Sequence, residues 1–196
     1  MIKAIIFDCF GVFVGNPYKE RVAILETQDP ELADQIRAIN RAADRGFLTS
    51  DEAREHMAPL LNITYEELTE EFNRGEILNE RLVAFAKTLR PKYKVALLSN
   101  VSGRDRLEMR FQPEDLNELF DVVVASGDVG IIKPEPDIYT LTAERLGVLP
   151  EECVMLDDIR EFCDGAESVG MQSVQFISTD QGINDITLLI DRGEQR

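Results

Sequence analysis

Residues 4–7, Ala-Ile-Ile-Phe, are continuously apolar. A β-branched run of that kind reads as a strand buried on both faces, not as an alternating surface strand. Four later runs have the same character: Tyr93–Ser99, Asp121–Ser126, Cys153–Leu156 and Gln172–Ile177. Between them apolar positions recur at steps of three and four. Pro136–Leu146 sets Ile138, Leu141, Thr142 and Leu146 on one face with Gly147 as a stop, and Asn79–Leu89 and Asp164–Gly170 also read as helices. Strands alternating with helices make βαβ units, whose crossovers are right-handed.

The gap between the first two strands is longer than a crossover needs, and its pattern is helical throughout. Asp29-Pro30 reads as an N-cap followed by proline in the first turn, and Leu32, Ile36, Ile39 and Ala43 trace one face before Gly46. Thr49-Ser50-Asp51-Glu52 and Thr64-Tyr65-Glu66-Glu67 have the form of capping boxes, and Leu68 and Phe72 continue the last helix to Gly75. The pattern therefore predicts an α/β fold. Residues 1–15 and 79–196 form a Rossmann-like parallel sheet with helices on both faces. Residues 16–78 form a small all-helical cap inserted after the first strand, with Gly15-Asn16-Pro17 as one hinge.

Composition narrows the function classes. With 196 residues and 44% hydrophobic content the chain can bury a full core. A formal net charge of -16 excludes bulk phosphate binding of the kind nucleic acid requires. A small anionic substrate then needs a cation or a few placed basic groups. Cys9, Cys153 and Cys163 are odd in number and sit in mostly apolar surroundings, which fits a reducing cytoplasm and not a disulfide framework. No segment reaches membrane-spanning length, so neither a membrane nor nucleic acid is an expected partner.

Chemistry gathers at the strand ends. Asp8 follows the first strand, at the carboxyl edge where open α/β sheets bind ligands, and Gly11 lets the chain bend away. A carboxylate there is placed to act as a nucleophile or a metal ligand. The second strand ends in Ser99-Asn100, a hydroxyl and an amide suited to phosphoryl oxygens. Lys133-Pro134 follows the third strand after a glycine-rich loop, Gly127–Gly130, and brings a point charge. Asp157-Asp158 ends the fourth and offers oxygen ligands suited to Mg²⁺.

These residues, in this order, resemble the motifs of the haloacid dehalogenase superfamily. Phe7-Asp8-Cys9-Phe10-Gly11-Val12 is similar to the first motif, Leu98-Ser99-Asn100 to the second, Lys133-Pro134 to the third and Leu156-Asp157-Asp158 to the fourth. The resemblance implies a phosphatase acting on a small phosphate ester, possessing a helical cap and using Asp8 as nucleophile to form an aspartyl-phosphate that water cleaves. It implies Mg²⁺ held by Asp8, the backbone carbonyl of Phe10 and Asp157, with Asp158 acting through water or as a partner of Lys133. Ser99, Asn100 and Lys133 would bind the phosphoryl group, with Ser99 and Lys133 also serving catalysis.

One position departs from that pattern. Phosphatases of the superfamily usually carry a second Asp two residues after the nucleophile, as general acid and base, and here Phe10 stands there. Such a group is worth about 10²–10⁴-fold in rate. Three readings follow: a phosphatase, with a sugar phosphate among its substrate classes, that finds its proton elsewhere; a 2-haloacid dehalogenase using Asp8 without metal; and a non-catalytic binding or regulatory member. Asp157-Asp158 favours phosphoryl chemistry, because a haloacid's carboxylate would meet that acidic pair with no cation between. His56, the one histidine, is a candidate proton donor on the cap. Among Arg104, Arg106, Arg110 and Arg160, the sequence places Arg104 and Arg160 nearest the crevice, where either could grip a substrate anion.

Overall fold

The computed structural model describes residues 1–111 and 113–194. Its five strands, β1 (Ala4–Phe7), β2 (Lys94–Ser99), β3 (Val122–Ala125), β4 (Cys153–Asp157) and β5 (Gln172–Gln175), form one parallel sheet in the order β3-β2-β1-β4-β5. The chain leaves β1 in one direction towards β2 and β3, then returns to its other side for β4 and β5. The end of β1 is thus the switch point where a crevice opens.

Alternate residues of β1 serve opposite layers, as a period of two requires. Ile5 and Phe7 pack with Leu82 and Ala86 of α5 (Glu80–Leu89), Leu107 of α6 (Arg104–Glu108), Leu116 of α7 (Pro113–Leu119) and Ile186 of α11 (Thr179–Glu194). Ala4 and Ile6 pack with Ile138 and Tyr139 of α9 (Pro136–Leu146) and Ala166 of α10 (Arg160–Ser168). All four β1 residues are fully buried, so the strand ahead of Asp8 is held rigidly on both faces.

Four helices lie between β1 and α5: α1 (Pro17–Gln28), α2 (Pro30–Asp44), α3 (Ser50–Leu60) and α4 (Tyr65–Gly75). They share a hydrophobic cluster of their own, including Val22, Leu25, Ile36, Met57, Leu68 and Phe72. Asp29 caps α2 by accepting from the Leu32 amide at 3.0 Å, and both capping boxes form, Thr49 with Glu52 and Thr64 with Glu67. These helices sit close on the sheet edge. The Arg45 guanidinium pairs with Glu135, the Ser50 and Ser102 hydroxyls are 2.7 Å apart, and a Cβ on Gly46 would lie 2.4 Å from the Gly127 carbonyl oxygen.

Several expected bounds shift. Gly127–Gly130 is not a loop: Ser126–Val129 forms a one-turn helix, α8, closed by Gly130 in the left-handed conformation. β3 accordingly stops at Ala125, where the Ser126 hydroxyl turns to the Val101 backbone. The helix expected from Asp164 begins four residues earlier, at Arg160, directly after the acidic pair. No helix among the described residues is long and apolar enough to cross a membrane.

Candidate active site

Register brings the first two acids together. Phe7 pairs with Leu156, so Asp8 and Asp157 leave the sheet side by side, and the Asp8 amide donates to the Leu156 carbonyl at 2.9 Å. Ser99, the last residue of β2, is buried on the other side of β1 and lines the same cavity.

Lys133 reaches this point from the segment after α8. Its Nζ donates to Asp8 Oδ1 at 2.7 Å and to Asp157 Oδ2 at 2.6 Å, and the residue is 1% exposed. Asn100 fixes its backbone: the side-chain oxygen accepts from the Lys133 amide at 2.8 Å and the side-chain nitrogen donates to the Lys133 carbonyl at 3.0 Å. The Asn100 side chain, expected to bind phosphate, is thus committed to positioning the lysine.

Two of the three carboxylates share the buried Lys133 ammonium, and the third pairs with Lys19. Burial works against the Lys133 charge, yet Asp157 and Asp8 hold it protonated above the ordinary lysine range. Burial also raises Asp8, to about 7; Lys133 opposes this, while Asp157 and Asp158 add to it. Asp157 is raised by burial against the pull of Lys133, and its Oδ1 accepts from the Ile159 amide at 2.9 Å. Asp158 turns outward to Lys19, with Oδ2 at 2.5 Å from Nζ, while its buried Oδ1 has no hydrogen-bond partner among the described residues.

That donor set fits a hard divalent cation. Asp8, Asp157 and Asp158 each place an oxygen within 4.8 Å of the others, and the unpartnered Asp158 Oδ1 is an acceptor awaiting a positive charge. The Phe10 carbonyl is held by the Asn16 side chain, which donates to it at 3.2 Å, so the expected hinge residue also orients an expected ligand. Gly11 has φ +103°, and a Cβ there would lie 2.4 Å from Asp158 Oδ2. The glycine thus provides both the turn and the room for that carboxylate.

Above these residues lies a cavity of about 200 Å³, bounded by Asp8, Phe10 and Ser99 below and by the inserted helices above. Asp44, Arg54 and Glu76 in its wall were not singled out from the sequence, and Arg106 was named there but not as one of the nearest arginines. Asp44, the last residue of α2, lines it and is pushed up to about 7 by burial, against Lys133, Asn40 and Arg41. Arg54 of α3 and Arg106 of α6 line it too, 3% and 8% exposed. Arg104 and Arg160, which the sequence had placed nearest, do not line it: Arg104 pairs with Glu108, and Arg160 with Asp164 and Glu167 along its own helix. His56 is exposed on α3, beside the stripe of Ala53 and Met57 that faces inward, and does not line this cavity.

With this geometry the comparisons agree. The family model for haloacid dehalogenase-like hydrolases matches residues 2–170. The chain belongs to that family of hydrolases. It is 30% identical to a phosphorylated carbohydrates phosphatase of Thermotoga maritima, over 98% of this chain and 92% of the relative. Its fold matches that of a family enzyme from Bacteroides thetaiotaomicron solved with magnesium and inorganic phosphate, with a TM-score of 0.71, 22% identity and coverage of 91% of this chain and 96% of the other. It also matches the L-2-haloacid dehalogenase of Xanthobacter autotrophicus, with a TM-score of 0.63 and 22% identity over 92% and 80% of the two chains. The fold is thus common to both chemistries weighed from the sequence, and the side chains must decide between them.

Proposed function

We propose that this protein is a Mg²⁺-dependent phosphatase of a small phosphorylated metabolite, acting through an aspartyl-phosphate on Asp8 beneath a cap formed by residues 16–78. The observation that carries this is the cluster of three carboxylates, two sharing the buried Lys133 ammonium and the third paired with the half-exposed Lys19, with Asp158 Oδ1 left without a partner among the described residues. A haloacid would add a further carboxylate to this excess of negative charge, whereas a metal-bound phosphate ester supplies the cation the site lacks. The 30% identical phosphatase of T. maritima supports the same reading. Three buried free thiols suit a reducing cytoplasm.

Mg²⁺, held by Asp8, the Phe10 carbonyl and Asp157 with Asp158 beside them, would draw charge from the phosphoryl oxygens and favour the ionised form of Asp8. The Asp8 carboxylate attacks phosphorus and the bond to the leaving oxygen breaks. Lys133 and Ser99 hold the phosphoryl group, and Lys133 steadies both neighbouring carboxylates. Asp44 gives its proton to the leaving oxygen. Water then attacks the phosphorus of the aspartyl-phosphate and yields a proton to Asp44, while Asp8 departs as carboxylate.

Asp44 thus fills the role that Phe10 cannot. It is fixed at the cavity by its own carbonyl, which accepts from the Ser126 hydroxyl at 2.5 Å, and its Oδ2 accepts from Asn40 Nδ2 at 2.9 Å. Lys133 and Arg41 are the cations that act on it, and Tyr18 lies near enough to feel its charge. Turnover should fall as pH rises through about 7, where the donor loses its proton. Asp44→Asn should lower kcat by about 10²–10⁴-fold and remove that limb of the profile. A second readout is stability. The folded state holds this proton up to about 7 and the unfolded chain releases it near 3.8, so stability declines as pH rises between them. The asparagine variant should show a shallower slope, keeping the share of Asp8, whose carboxyl is also raised to about 7; an unchanged pH profile and slope would remove Asp44 from the mechanism.

The reading as a whole is tested by assaying phosphorylated metabolites and 2-chloropropionate with Mg²⁺ or with EDTA. Phosphate release abolished by EDTA is expected; halide release insensitive to EDTA would assign the dehalogenase chemistry. In thermal scans Mg²⁺ should stabilise the wild type, by about 2.7 kcal/mol at a hundredfold excess over Kd, and leave Asp157→Ala unmoved.

A further inference from the structure

We propose that Arg54 and Arg106 form an oxyanion subsite in the cavity above Asp8, and that the substrate carries a second anionic group, a carboxylate or a second phosphoryl, besides the one that reacts. The inference rests on the phosphatase reading for the reacting group, but the subsite stands on its own geometry.

Charge balance points to it first. Glu76 is shared: Arg106 pairs with one of its oxygens and Arg110 with the other, so two guanidinium groups divide one carboxylate. Arg54 has its ion pair with Asp51, whose side chain is 67% exposed and therefore largely solvated. Arg54 and Arg110 both lie close enough to Arg106 to act on it as like charges. In a chain of net charge -16, this wall of the cavity has an excess of positive charge.

Hydrogen bonding points the same way. Arg106 Nη1 is buried and has no hydrogen-bond partner among the described residues. Buried donors of a charged group are seldom left unmatched, because losing water without a replacement is costly. Phe10 supplies the shelf: the Arg106 guanidinium carbon lies 4.6 Å from its ring centroid, which holds the fork in place without satisfying its N–H groups. This gives Phe10 a task at the position where the family usually has an acid. An aspartate there would pair with Arg106 and neutralise the subsite.

The two arginines come from opposite sides, Arg54 from the inserted helix α3 and Arg106 from α6. An anion between them therefore joins the inserted helices to the sheet's own layer and favours the closed arrangement. The cavity, at about 200 Å³, is smaller than the roughly 300–1,000 Å³ of pockets for drug-sized ligands, so the substrate is compact. Together these features describe a short phosphorylated acid or a short bisphosphate.

Isothermal titration with unreactive phosphonates in the presence of Mg²⁺ tests this without turnover. Ethylphosphonate carries the reacting anion alone; 2-carboxyethylphosphonate and ethane-1,2-diphosphonate add the second as carboxylate or phosphoryl. At least one two-anion ligand should bind about 10- to 100-fold more tightly than ethylphosphonate, the range for hydrogen bonds to charged groups, and the tighter one identifies the second group. Arg54→Gln and Arg106→Gln should each bring that ratio towards one. Arg54→Gln keeps the Glu76 pairs, so it reports even where Arg106→Gln fails to fold. Equal affinity for all three ligands in the wild type, or a preference that survives Arg54→Gln, overturns the subsite. Absence of phosphatase activity together with an intact two-anion preference would overturn the catalytic reading and leave the subsite standing.

Discussion

Asparagine at position 8 is expected to lower phosphate-ester hydrolysis at least about a hundredfold while the fold stays intact. An amide is close to isosteric with a carboxylate, and Asp8 is 5% exposed at the end of a fully buried strand, so shape is preserved. What is lost, in the proposed mechanism, is the nucleophile. The change also removes one of the two carboxylates on Lys133 but leaves Asp157 at 2.6 Å, so the ammonium is not orphaned. Because burial already pushes the Asp8 carboxyl up to about 7, a neutral group there relieves an unfavourable charge. Melting temperature without Mg²⁺ should therefore be unchanged or higher, in contrast to the collapse in rate. A variant that retained more than about a hundredth of wild-type turnover would show that Asp8 is not the attacking group.

Lys133→Met is expected to cost both activity and stability. Lys133 is buried against Asp8 and Asp157, and a methionine would leave two carboxylates without their cation. Removing one partner of a buried ion pair typically costs about 3–5 kcal/mol, since the remaining charge has neither water nor a counter-ion. Urea denaturation in EDTA should show that loss, and it should shrink when the carboxylates are protonated at acid pH. Added Mg²⁺ should recover part of the stability without restoring turnover, because the phosphoryl group still lacks Lys133. A loss of less than about 1 kcal/mol in EDTA would mean the ammonium is dispensable to this cluster.

The sheet and the acidic cluster were legible because their signals are local. An apolar run ending in Asp8, or in Asp157-Asp158, announces both a buried strand and what lies at its edge. The caps of α2, α3 and α4 were legible for the same reason, each written within four residues. The cavity's far wall was not. Glu76 and Arg106 are thirty residues apart, and no periodicity tells which arginine of α6 turns inward. Arg104 lies nearer the strand end in sequence, yet at two positions' separation a helix places it and Arg106 on different faces, and Arg106 is the buried one. Asp44 left a faint trace: it follows Ala43 on the buried stripe of α2, one turn after Asn40, where an acid facing solvent would be out of pattern. Ser126–Val129 was misread because its glycines suggest a loop, whereas a bond from the Gly130 amide to the Ser126 carbonyl closes a helical turn. Asn100 shows the opposite limit. Its chemistry suits phosphate, but the contact it makes is with a backbone thirty-three residues away.

The central claim, phosphoryl transfer onto Asp8, is tested most directly by acid-quenching the enzyme during turnover of an aryl phosphate with Mg²⁺ and locating phosphorus by peptide mass. A phosphoryl group is expected on the peptide containing Asp8, labile to hydroxylamine as an acyl phosphate is, and absent from Asp8→Asn. Phosphorus on another residue, or full-rate turnover with none on Asp8 at any quench time, would contradict it.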